Sequence, residues 1–107
     1  MKNCYVDREH RTIIDLVPSP EWHLPDGLII TRINVPAEHR WKGVARALLQ
    51  QVLDDADKTN TTLYLEIVPS GGMNFGQLRN WYERRGFCDT GDISGFWRRL
   101  PATSRII

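Results

Sequence analysis

INVPAEHRWKGVARALLQQVLDD, residues 33–55, decides how this chain folds. Its second half carries Val44, Ala45, Leu48, Leu49, Val52 and Leu53, continued by Ala56 just after it, at the 3.6-residue period, which predicts an amphipathic helix with one buried face. A helix made only for packing opens on a Ser, Thr, Asp or Asn cap. This one opens on Arg40, Trp41, Lys42 and Gly43, and its first turn is bare. The first N–H groups of a helix have no internal partner, and the positive end of the dipole lies there. A strand running into such a start makes a site for an anion. Gly43 has no Cβ, so it either admits another molecule close to the backbone or permits tight helix–strand packing.

Upstream, LIITRINV (28–35) is β-branched and largely apolar, a strand ended by Pro36. Downstream, Asn60 is a left-handed stop, and TLYLEIV (62–68) is a second strand closed by Pro69-Ser70-Gly71-Gly72. Strand, helix, strand in this order predicts a parallel crossover. Residues 3–7 and 11–17 read as two further strands, and 18–27, with three prolines, as a loop. A second helix is expected over 74–85, with Phe75, Leu78, Trp81 and Tyr82 as its apolar stripe and Gly86 as its left-handed cap. Residues 87–100 read as two strands around a turn at Thr90-Gly91-Asp92. The fold class is α+β: a mixed sheet built around the parallel unit, in a single domain over 1–107.

Composition sets the outer bounds. The 14 Lys and Arg against 13 Asp and Glu leave a net charge of +1, which argues against bulk binding to nucleic acid. Cys4 and Cys88 are far apart, without metal-ligand spacing, and read as free thiols. His10, His23 and His39 share no ligand spacing with them, so no metal is expected. The absence of an apolar run of membrane length and of a signal peptide places the protein in the cytoplasm. Arg79, Arg84, Arg85, Arg98 and Arg99 are either a solvated face or a partner surface. Trp22 reads as an anchor for its loop rather than a cover for a pocket, and an exposed aromatic at Phe96 or Trp97 would suit a homodimer contact.

INVPAEHRWKGVARALL, with Arg40, Gly43 and Ala45 in an Arg-x-x-Gly-x-Ala pattern, resembles the coenzyme A motif of the GNAT superfamily of N-acetyltransferases. LRNWYERRGF (78–87) resembles that family's later helix, with a tyrosine followed by Gly-Phe. The resemblance covers about residues 28–99 and is closest to small phage and bacterial members. It implies a GNAT-like fold, shortened at the N-terminus, that moves an acetyl group from acetyl-CoA to a primary amine of a small molecule or protein. It implies that the amides of Trp41, Lys42, Gly43, Val44, Ala45 and Arg46, led by Arg40, hold the diphosphate. The pantetheine arm would then run along Ile33, Asn34 and Val35 where the two parallel strands splay apart. Tyr82 matches the family's general acid, and Asn74 stands beside the place of an asparagine that contacts the cofactor. The family's usual base, a glutamate on the strand before the motif, has no counterpart in Leu28–Val35; Glu66 on the next strand is the remaining candidate, or else a solvated strand residue. A non-catalytic acyl-CoA-binding or protein-interaction module on the same fold is the alternative; a nucleic-acid binder ranks below both.

Overall fold

The computed structural model describes residues 1–19, 27–40, 42–91 and 95–102. Along the chain these form β1 (Cys4–Asp7), β2 (Thr12–Pro18), β3 (Leu28–Asn34), a 3-10 turn (Ala37–His39), α1 (Val44–Lys58), β4 (Leu63–Glu66), α2 (Phe75–Glu83), β5 (Cys88–Asp89) and β6 (Phe96–Arg99). They make one mixed six-stranded sheet in the order β1-β2-β3-β4-β6-β5. The β3–β4 pair is parallel and every other pair antiparallel, as strand–helix–strand between two hairpins requires. Trp22, His23 and the rest of 20–26, Trp41, and Asp92 of the expected turn lie outside the described residues.

The 3.6-residue stripe does what its spacing predicts. Val44, Leu48, Leu49, Val52, Leu53 and Ala56 are buried, and α1 packs against β1 and β2. Ile14, Leu16, Ile30, Leu63, Leu65, Phe87 and Trp97 close the core beneath it. Asn60 adopts φ +55, and the Thr61 N–H donates back to the Ala56 carbonyl (2.8 Å), so the left-handed stop is in place. On α2 the stripe is shorter than expected. Leu78 is buried and Trp81 and Tyr82 pack on the core, but Phe75, at the first helical position, is exposed because core contact begins only at Leu78.

The feature that matters most is where β3 and β4 part. They pair only at Leu28–Leu63, Ile29–Tyr64 and Ile30–Leu65. Beyond that β3 runs on to Asn34 with β2 on one side alone. The cause is local: Arg32 pairs with Asp15 and Ile30 with Leu16, so Thr31 is one residue too many, a bulge. A bulge bends its strand and sharpens its twist. Thr31 is pinned by its hydroxyl to the Asp15 carbonyl (3.3 Å), and Arg32 by its Nε to the Asp15 carboxylate (2.7 Å). β4 ends at Glu66, two residues short of the expected Val68, with β6 as its partner there.

One buried ion pair fastens the far end. Arg99, 4% exposed, donates through Nη1 and Nη2 to the two Asp57 carboxylate oxygens (3.0 Å each) and through Nε to the Arg85 carbonyl (3.0 Å). It ties α1, β6 and the end of α2 together. Arg99→Ala removes the two charge-assisted bonds to Asp57, and unfolding in urea is expected to show a loss of about 3 kcal/mol, the low end for a buried pair because Asp57 keeps some contact with water.

Candidate functional site

The space opened by the Thr31 bulge is a cleft of ≈480 Å³. One wall is the free edge of β3 at Ile33, Asn34 and Val35, and the floor is the start of α1. The opposite wall is the Ser70-Gly71 turn and the α2 residues Leu78, Trp81 and Tyr82. The sheet thus sets the two walls apart and α1 fills the angle between them.

The start of α1 is bare, as its sequence predicts. No side chain caps it, and its first turn has no acidic residue. Gly43 takes φ +76, a left-handed backbone that disfavours any side chain. The first helical bond runs from the Ala47 N–H to the Gly43 carbonyl (3.0 Å), leaving the Val44, Ala45 and Arg46 amides ahead of it. The Arg46 guanidinium folds back to 3.4 Å from where a Gly43 Cβ would stand, adding its charge to that of the amides. Arg40 donates its Nε to the Val35 carbonyl (3.2 Å) and lies 4.0 Å from where a Gly71 Cβ would stand, so it reaches from the loop before α1 to the loop before α2.

α2 shows how the same chain caps a helix when it needs only stability. Asn74 accepts from the Gln77 N–H (2.9 Å) while Gln77 accepts from the Asn74 N–H (3.0 Å). That occupies the Asn74 side chain, which does not line the cleft. At the other end of α2, Gly86 (φ +95) turns the chain so that the Phe87 N–H meets the Tyr82 carbonyl (3.2 Å). Phe87 then drops into the core with its ring edge-on to Tyr82 (5.6 Å between centroids). Trp81 stands edge-on to Tyr82 on the other side (5.1 Å), and Arg85 lies over the Trp81 ring at 3.9 Å. The Gly-Phe after the tyrosine is thus a device that holds the phenol in one place.

Burial pushes the Tyr82 phenol up to about 12, outweighing the Arg85 charge that favours its ionised form. It is therefore protonated at neutral pH. His39, which also lines the cleft, stacks edge-on with His10 (5.1 Å), itself bonded to Asp7 (2.9 Å). Desolvation, and then the charges of His10, Lys42 and Arg11, hold the His39 imidazole below its usual range, so it is neutral at pH 7.

Of the residues singled out in the sequence, Ile33, Asn34, Val35, Arg40, Gly43, Val44, Ala45, Arg46 and Tyr82 meet in this cleft. Lys42, exposed, does not line it; Trp41 lies outside the described residues. Glu66 is exposed at the end of β4, away from the lining, so the burial that would make it a base is absent. Ser70, Gly71, Met73, Leu78, Trp81 and Arg84 also line the cleft. No local pattern marks them, because the turn and helix that carry them reach the site only through the parting of β3 and β4. Among the described residues no group of three or more His, Cys, Asp and Glu side chains comes together as metal ligands, and no helix is long and apolar enough to cross a membrane.

No protein-family model matches the chain, and no curated protein does. Solved structures do. The chain superposes on an acetyltransferase of the GNAT family from Staphylococcus aureus Mu50 with a TM-score of 0.59, at 18% identity, over 89% of this chain and 63% of that one. Its fold is the GNAT fold. The ribosomal-protein-S18-alanine N-acetyltransferase of Escherichia coli matches at a TM-score of 0.62 and 20% identity, over 83% of this chain and 60% of the enzyme. The anti-CRISPR protein AcrVA5 matches at 0.66 and 17%, over 91% of this chain and 98% of that one. The chain thus spans nearly all of AcrVA5 but less than two thirds of the two acetyltransferases.

The phenol supplies a pH test. Tyr82 ionises near 10 unfolded and about 12 folded, so its contribution is complete below pH 10 and is lost as pH rises toward 12. Tyr82→Phe is expected to remove about 2 kcal/mol of that alkaline loss, read by urea unfolding on either side of pH 10, while Tyr5, also raised to about 12, keeps its own share.

Proposed function

We propose that the chain is a member of the GNAT superfamily that transfers the acetyl group of acetyl-CoA to a primary amine by direct attack in a ternary complex. One observation carries the reading: a parted pair of parallel strands opens onto an uncapped helix start, with a half-buried phenol on the facing wall. The residues present suit the donor. A diphosphate would take the amides of Val44, Ala45 and Arg46 with Arg40 alongside, where Gly43 allows close approach. The pantetheine arm carries amides of its own, and the edge of β3 at Ile33 and Asn34, with Val35 just beyond it, faces the cleft where such amides could bond the backbone as a neighbouring strand would. Acetyl-CoA supplies a thioester carbonyl activated toward amines.

In the transfer, the amine nitrogen bonds to that carbonyl carbon, the carbon–sulfur bond breaks, and the sulfur leaves with the electron pair. Tyr82 Oη donates a hydrogen bond to the departing sulfur and then its proton. A phenol near 12 is a weak acid beside an ordinary thiolate, but desolvation raises a thiolate in the same pocket as well, which narrows the mismatch. The amine's proton leaves through water; Glu66, away from the lining, takes no part.

A protein amine as acceptor has the support of the Escherichia coli neighbour, which acts on an alanine of ribosomal protein S18. The second reading, a non-catalytic binding module, is favoured by the cleft lining, which among the described residues holds no carboxylate to serve as a base beside the phenol. Turnover separates the two. With an amine library as acceptor, the wild-type chain is expected to release free thiol from acetyl-CoA, and Tyr82→Phe to turn over about 100-fold more slowly with acetyl-CoA affinity kept. Tight binding with no turnover on any amine establishes the binding module.

A further inference from the structure

We propose that Arg84, with the Arg46 guanidinium shared between it and the Gly43 loop, holds a phosphate monoester of the acyl donor, separate from the diphosphate assigned to that loop, and is thereby a specificity-determining residue for the donor. This rests on the acetyltransferase reading above. Acetyl-CoA carries two separate phosphate groups, a diphosphate in its arm and a monoester on its ribose, and each needs its own cations.

The cleft has charge to spare for a second group. Arg40, Arg46 and Arg84 all line it, from the loop before α1, the first turn of α1 and the residue after α2. Arg11, Arg32, Arg79 and Arg99 are each paired with a carboxylate. Among the described residues Arg40, Arg46 and Arg84 have no such partner. Like charges gathered in one cleft without carboxylates repel one another, and a dianion there relieves that repulsion.

The neighbours of Arg84 leave it available. Its Nε donates to the Asn80 carbonyl (3.3 Å), which fixes the stem and leaves the terminal nitrogens for a ligand. Glu83 would otherwise oppose an anion at this spot, but its carboxylate is drawn to Arg79 (3.5 Å) on the preceding turn. Arg85 is engaged elsewhere: its guanidinium lies on Trp81 and donates to the Trp81 carbonyl (2.7 Å). Desolvation first, and then the charges of Arg84 and Arg46, hold Arg85 below its usual range, so both guanidiniums lie within electrostatic reach of Arg85. A guanidinium fork matches the oxygens of a phosphate monoester, and a bidentate contact of this kind gives discrimination as well as affinity.

The test compares coenzyme A with 3′-dephospho-coenzyme A by calorimetric titration of the full chain. The wild type is expected to bind coenzyme A about tenfold more tightly or better. Arg84→Gln is expected to weaken coenzyme A while leaving the dephospho form unchanged, so that the two bind alike. Arg46→Gln, which also removes charge from the Gly43 loop, is expected to weaken both forms and to narrow the gap between them, and Arg84→Lys to keep part of the gap. Equal affinities in the wild type overturn the proposal and leave the acetyltransferase reading standing. So does an Arg84→Gln variant that weakens both ligands by one factor. If neither ligand binds the wild type, the acetyltransferase reading falls and this proposal with it.

Discussion

A single extra residue in β3 governs the architecture of the site. Thr31 stands opposite no residue of β2, and the bend it imposes takes β3 away from β4 after three paired positions. Two parallel strands that part leave backbone N–H and C=O groups on their inner edges. Such groups need partners, from water or from a ligand that offers amides at strand spacing. The sheet therefore builds a slot whose walls are polar backbone and apolar side chain at once, and α1 runs into its base. Asp15 holds the bulge from β2, through its carbonyl to Thr31 and its carboxylate to Arg32.

The two helices show what the slot asks of the chain. α2 starts with a full capping box, a feature that contributes about 1 kcal/mol in other helices. α1 forgoes it, although it is the longer helix and buries a full face where α2 buries Leu78 alone. In place of a cap it has a glycine in a left-handed conformation, three amides that bond no carbonyl among the described residues, and two arginines nearby. A helix start left without a cap beside gathered cations is a stability deficit that a bound anion offsets. On the facing wall the same logic runs through packing. The turn at Gly86 presses Phe87 against Tyr82, which fixes the phenol and strips it of water, and that desolvation keeps it protonated.

Much of this was legible in the residues. The 3.6-residue stripe placed α1, the β-branched run placed β3, and Gly86-Phe87 and Asn60 marked helix ends, because each of these signals is local. The bare start of α1 was legible for the same reason. What the pattern did not show depends on distant pairing. Nothing in LIITRINV says that Thr31 is the residue β2 skips. Arg84 read as part of a solvated face or a partner surface, yet the fold brings it to the cleft with Arg46, thirty-eight positions earlier in the chain. Asn74 and Glu66 went the other way: one serves the α2 cap and the other faces solvent. A residue's chemistry can be read from sequence, but the direction of its side chain is settled by the elements it packs against.

Everything turns on whether the α1 amides and the free edge of β3 take up the donor. The most direct measurement is an amide-resolved magnetic resonance titration with acetyl-CoA. The account predicts large shifts at Gly43, Val44, Ala45 and Arg46, accompanied by Ile33, Asn34 and Val35, with the far-end Arg99 little changed. Shifts confined to other faces of the sheet, or none at saturating acetyl-CoA, would contradict it.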